Sequence, residues 1–256
     1  MKRVAMLTTV ILLLPVFVAE ASAQKQPSSP TDTVINFYQA LKQRRYVEGF
    51  RHSIYRKAVE GLTPGQLQDL EPDFAQTFSA IPDKIEPRGE QITGDSAVVF
   101  LKFDGMGAPQ QVALIRVNGE WLVGDQDGFA EVNAQGGSFF FNTRIQVNEN
   151  EAFEMLSRII DAELIYSKRF EGKNASMQEL IRLNGVPADL EGGESGGYRF
   201  TLTLSGDAKS FAAAASPIAY GKTGRLSFYA DINGVRAEDL KGQMASEKSP
   251  AYRAKQ

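Results

Sequence analysis

The chain has 256 residues, 43% of them hydrophobic and 10% aromatic, which is the balance of folded cores and excludes a disordered tail. One histidine and no cysteine exclude multi-histidine zinc sites, thiolate sites, thiol nucleophiles and disulfides. A net charge of −3, with no dense Lys and Arg cluster, argues against a nucleic-acid partner.

Met1 to Arg3 supply a positive start, Val4 to Ala19 an apolar run and Ala21-Ser22-Ala23 a small-residue site, so 1–23 reads as a cleavable secretory signal. The run is shorter than a spanning helix needs and contains Pro15, so no stable membrane span is expected after cleavage. The expected compartment is the periplasm or the exterior. Residues 24–30 form a polar leader.

A first unit is expected over 31–133. Ser29-Pro30-Thr31-Asp32 is a helix start, followed by Val34, Tyr38 and Leu41 at helical spacing. Val47, Phe50 and Ile54 imply a second helix, and Thr63-Pro64-Gly65-Gln66 opens a third that Pro72 is expected to break in two. The period then changes. Residues 96–103 and 110–117 are rich in β-branched and aromatic side chains, and Asn118-Gly119 before Trp121 signals a type I′ hairpin.

Helices followed by an antiparallel meander ending in Asn-Gly-Glu-Trp-Leu-Val-Gly-Asp at 118–125 resemble the nuclear transport factor 2-like (cystatin-related) fold. The resemblance implies a curved sheet wrapped around helices as a cone with an interior pocket. Its members include isomerases, dehydratases, ligand-binding modules and protein-interaction domains, so the fold does not choose a function. Tyr38, His52, Tyr55 and Asp125, with Asp127, are the candidates for a ligand site near the cone mouth. Each has a plainer reading. His52 lies between Arg51 and Ser53 as a boundary residue, and Asp125 and Asp127 flank Gln126 before Gly128 as a turn. No nucleophile elbow accompanies His52, and no catalytic set, metal site or cofactor is expected.

The joint, 134–147, carries Gln135-Gly136-Gly137-Ser138 and then Phe139, Phe140 and Phe141. Three phenylalanines suit a docked segment, with Phe139 and Phe141 on one face if it is extended; an exposed patch for a partner is the alternative.

A second unit is expected over 148–241, opening with an amphipathic helix at 148–172 that Asn148 and Glu151 would cap. Ala152, Phe153, Met155, Leu156, Ile159, Ile160, Ala162, Leu164, Tyr166 and Phe170 form its apolar arc, and Glu163 falls inside that arc. Glu163 is expected either to bind an arginine or backbone donor within the unit, or to mark an interface with the first unit. Ser176 starts a short helix, Tyr198 to Ser205 alternates as a half-buried strand, and 211–220 suits another. Leu226, Phe228, Ala230 and Ile232 alternate before an Asn233-Gly234 turn. Residues 242–256 read as a polar tail. Asp231 and Asn233 offer oxygen ligands, but a hairpin turn explains them more simply than calcium.

Asn-Glu-Asn-Glu-Ala at 148–152, Gly-Tyr-Arg-Phe-Thr-Leu at 197–202, Gly-Arg-Leu-Ser-Phe-Tyr-Ala-Asp at 224–231 and Asn-Gly-Val-Arg at 233–236 resemble the soluble head of a type IV pilin or pseudopilin. The apolar half-helix that bundles pilins is replaced here by the first unit, so the head is expected to serve as a module. The fold class expected is α+β in two domains. The favoured function is non-catalytic binding or scaffolding at the bacterial cell envelope, with an envelope protein or a small hydrophobic ligand as partner. A small-molecule isomerase or hydrolase working from the cone, and an accessory part of a pilus or secretion apparatus, are the alternatives.

Expressed in a bacterium with its own export machinery, the protein is expected to be recovered outside the cytoplasm with Gln24 as its first residue. Mass spectrometry of the intact chain checks this, and a membrane-bound chain retaining residues 1–23 would refute it.

Overall fold

Ser29 starts the first helix with a capping box, its hydroxyl accepting the Asp32 N–H at 3.0 Å while the Asp32 carboxylate accepts the Ser29 N–H at 3.4 Å. The computed structural model describes residues 28–253 apart from Met106, so the signal reading of 1–23 and most of the leader lie outside the described residues. Helix α1 (Pro30–Lys42) buries Val34, Phe37, Ala40 and Leu41. Short helices α2 (Tyr46–Arg51) and α3 (Arg56–Val59) follow. Ile54 is not in a second helix as expected. His52 ends α2, and the chain there joins a sheet edge, the Ile54 N–H donating to the Val123 carbonyl at 3.0 Å.

Helix α4 (Pro64–Thr77) corrects the expected break: it runs unbroken through Pro72. Proline removes one backbone donor, but Leu70 and Phe74 on either side of it are both buried among the helices, and that packing holds the turn.

Four antiparallel strands, β1 (Ile85–Thr93), β2 (Ser96–Phe103), β3 (Gln110–Val117) and β4 (Glu120–Val123), form one sheet in chain order. Asn118 and Gly119 both take positive φ, 51° and 83°, as a type I′ turn requires. Strand β1 escapes sequence reading because Pro87 and Gly89 bracket a bulge and its side chains are mostly exposed. Val34 of α1 packs with Val99, Leu101, Phe103, Leu114 and Trp121 of the sheet.

After α5 (Gln126–Gln135) and a single 3-10 turn, helix α6 (Phe139–Arg169) runs for 31 residues, about 46 Å. The joint is therefore not extended. Gly136, at φ 53°, ends α5, and no glycine or proline interrupts the chain from Phe139 to Arg169. Helical spacing places Phe140 over Phe50 and Phe74, with ring centroids 5.0 and 4.9 Å away. Arg144, four residues on, reaches Asp73 at 2.7 Å and the Asp69 carbonyl at 2.6 Å. Asn148 is no cap; its side-chain amide donates to the Thr223 carbonyl at 2.9 Å.

Helix α7 (Met177–Arg182) starts at Ser176, as expected. The second sheet is antiparallel, in the order β5 (Glu194–Ser195), β6 (Tyr198–Leu204), β7 (Phe211–Pro217), β8 (Ser227–Asp231) and β9 (Gly234–Glu238). In β6, Tyr198 and Phe200 are buried while Arg199, Thr201 and Thr203 are exposed, matching the alternation. Ala152, Leu156, Ile159 and Ala162 of α6 cross this sheet and share its core with Phe228 and Ala230.

Two expectations are corrected here. Asp231 pairs with Gly234, so the hairpin loop is Ile232-Asn233, one residue early, and Ile232 is exposed in it. The Asp231 carboxylate accepts the Asn233 N–H at 2.7 Å and stabilises that earlier turn. The polar tail is docked through Tyr252. Pro250 accepts from the Ala237 N–H and Tyr252 donates to the Val235 carbonyl, both at 3.0 Å, while the Tyr252 ring lies 5.3 Å from Phe228. An otherwise unpaired β9 edge supplies those backbone partners.

The architecture is thus α+β, with two sheets that each have their own core. Among the described residues no helix is long and apolar enough to cross a membrane.

Replacing Phe140 with alanine removes the ring that seats α6 between α2 and α4. A loss of about 2–3 kcal/mol in urea unfolding is expected; a loss below about 0.5 kcal/mol would show that the ring contributes little.

Candidate functional site

The residues expected at the cone mouth are used for structure. Tyr38 meets Phe37 and Phe103 edge-on, at centroid distances of 5.2 and 5.6 Å, and burial pushes its hydroxyl above the ordinary tyrosine range. Tyr55 packs on Phe50, Phe139 and Phe140; burial first, then the charges of Asp125 and Glu131, push its hydroxyl up. The His52 carbonyl accepts the Val123 N–H at 2.9 Å, and the ring is half-buried. Asp125 is the N-cap of α5, accepting the Gly128 N–H at 2.8 Å. Asp127 is exposed in the first turn of that helix. Tyr55 and Asp125 are neighbours, but Tyr38 belongs to the packing between α1 and the first sheet.

Phe139, Phe140 and Phe141 are half-buried where α6 meets α2 and α4, with the Arg144 guanidinium 5.7 Å above the Phe141 ring. The rings are docked, as the first of the two expectations had it. Glu163 lies away from that junction, where α6 meets the α6–α7 connection. It is fully buried, and one carboxylate oxygen accepts the Ala175 N–H at 2.9 Å. The other oxygen has no hydrogen-bond partner among the described residues. Burial holds this carboxyl above its ordinary range, against the opposing pull of the Ala175 bond.

A groove in the second unit combines apolar walls with charged side chains that have no ion-pair partner among the described residues. It lies between the last turns of α6 and the end of α7, encloses about 310 Å³, and is walled by Ile165, Tyr166, Phe170, Leu180 and Leu183. Tyr166 and Phe170 stack at 4.2 Å with an interplanar angle of 24°, making one wall flat. Ile165, Phe170 and Leu183 are 55%, 44% and 45% exposed, unusual for three large apolar side chains lining one groove. The opposite wall closes on α6 at Gly185, where a Cβ would stand 3.1 Å from that of Ala162.

Arg158, Asp161 and Arg169 edge this groove and, with Ile165, repeat at intervals of three or four residues along one side of α6. Arg158 and Asp161 also edge a wider, acid-lined groove of about 590 Å³ against β5 and β6, which Glu151, Glu154 and Asp189 share. Among the described residues no group of three or more histidines and carboxylates is placed to hold a metal.

Sequence reading missed this groove, although a signal for it was present. The apolar arc of α6 continues to Tyr166 and Phe170, past the stretch that the sheet covers. No protein family profile matches the chain, and no curated protein or solved structure is significantly similar to it.

A carboxyl whose folded-state pKa is raised favours folding least at high pH, because ionisation then costs more in the folded than in the unfolded state. Glu163→Gln keeps an acceptor for Ala175 and removes the charge. The variant is expected to melt a few degrees higher than the parent at pH 8, with the advantage shrinking toward pH 4 as the parent carboxyl takes up its proton. Thermal unfolding across that range checks this; a variant less stable at every pH would mean that the ionised carboxylate is needed.

Proposed function

We propose that the chain is an exported, non-catalytic binding protein of the bacterial cell envelope, and that the α6–α7 groove is its contact surface. In this reading the first unit is a nuclear transport factor 2-like domain, a helix against a four-stranded antiparallel sheet, and the second is a pilin-head-like helix on a meander. The observation that carries the binding role is the joint exposure of Ile165, Phe170 and Leu183 on a walled groove. Large apolar groups left together in water favour an occupant that covers them. The cone residues support an isomerase or hydrolase less well, because Asp125 is committed to a helix cap and Tyr38 to packing.

Nile red, a neutral dye that brightens in apolar surroundings, is expected to bind the protein and to be lost on either Ile165→Asp or Leu183→Asp, while Asp125→Asn leaves it bound. Fluorescence titration decides the matter. Undiminished binding in both groove variants would remove the groove from consideration, and loss in Asp125→Asn alone would return attention to the cone.

A further inference from the structure

Building on the binding role proposed for this groove, we infer that its ligand is a small amphipathic monoanion, an apolar body carrying one carboxylate-type head that Arg169 engages. The apolar half of the assignment follows from the walls. Leu180 and Ala162 lie at the base, the Tyr166–Phe170 stack forms a flat side, and Leu183 stands opposite. At about 310 Å³ the space is at the lower end for small-molecule sites and suits a chain of about ten carbons.

The sign of the head follows from which charges are already satisfied. Arg182 of α7 is tied to Glu179 by two hydrogen bonds, at 2.9 and 2.7 Å. Arg144 and Arg199 likewise meet carboxylates. The side chains of Arg158 and Arg169 differ, neither making a hydrogen bond or ion pair among the described residues. Arg158 has Asp161 three residues along the same side of α6, so that end of the groove carries charges of both signs. Arg169 stands at the other end of the groove.

Arg169 is not required to close the helix, either. Two carbonyls of the last turn of α6 are taken by backbone donors, Phe170 N–H to Tyr166 at 3.1 Å and Gly172 N–H to Ser167 at 2.9 Å. Its guanidinium is therefore available, beside an apolar wall, for a planar two-oxygen acceptor. An alkylammonium head would meet the same guanidinium with like charge.

The test titrates decanoate, decanol and decyltrimethylammonium into the full exported chain labelled with nitrogen-15, reading the backbone amides of Leu183, Asn184 and Gly185. Decanoate is expected to bind about tenfold more tightly than decanol, and the cation more weakly than either. Arg169→Gln should bring decanoate to the affinity of decanol without changing decanol, and Ile165→Asp should abolish binding of both. Equal affinity for the three probes, or a carboxylate preference that survives Arg169→Gln, would overturn the anionic assignment and leave the groove standing. No shift with any probe would overturn the groove as well. Sedimentation with phosphatidylglycerol vesicles without any response to decanoate would overturn the free ligand in favour of a lipid surface.

Discussion

A single helix belongs to both hydrophobic cores, and the rest of the structure depends on that sharing. The first turns of α6 insert Phe140 between Phe50 and Phe74 and anchor Arg144 on α4, while Ile145 is buried. One turn later, Asn148 binds the Thr223 carbonyl, and the Glu149 carboxylate accepts the N–H groups of Arg225 and Leu226 at 2.8 and 3.1 Å. From Ala152 onward the same rod lies on the second sheet. An α-helix satisfies its backbone internally and resists bending, so the relative placement of the two sheets is set by residue spacing along one rod.

The length of that rod also produces the groove. The second sheet covers α6 at Ala152, Leu156 and Ile159, and the final turns reach past it. Helix α7 folds back over this overhang and leaves a gap walled by Ile165, Phe170 and Leu183. The returning wall is held by Leu180 and Val186 in the second core, by Gly185, which permits close approach to Ala162, and by the bond from the Ala175 N–H to Glu163. A buried carboxylate is costly, and this one satisfies a buried backbone donor in the α6–α7 connection that no nearby carbonyl takes. Glu163 therefore serves the geometry of the second unit, away from the junction with the first.

Features whose cause lies within a few residues were legible in advance. The caps at Ser29, Thr63 and Ser176, the Asn118-Gly119 turn and the alternation of β6 all stand where local chemistry puts them. Features decided by distant partners were not. Strand β1 exists because β2 offers it a ladder despite Pro87, and residues 250–252 are ordered by the free edge of β9. The three phenylalanines looked like a joint because their alternation and their helical spacing are equally possible in so short a run; Phe50 and Phe74 choose the helix. Of the site, the long apolar arc and the oddity of Glu163 could be read, whereas Tyr38, Tyr55 and Asp125, expected at a cone mouth, are taken up by packing and a helix cap.

The sequence by itself determined the class of fold, the absence of thiol and multi-histidine chemistry, and where most helices and strands begin, because composition, capping and periodicity act over short chain distances. Only the tertiary structure decided that α6 runs unbroken from one core into the other and that its last turns remain partly uncovered. Ile165 and Leu183 are eighteen residues apart in the chain, and which apolar groups end as walls of a groove depends on where the sheet stops, a property of the packed molecule.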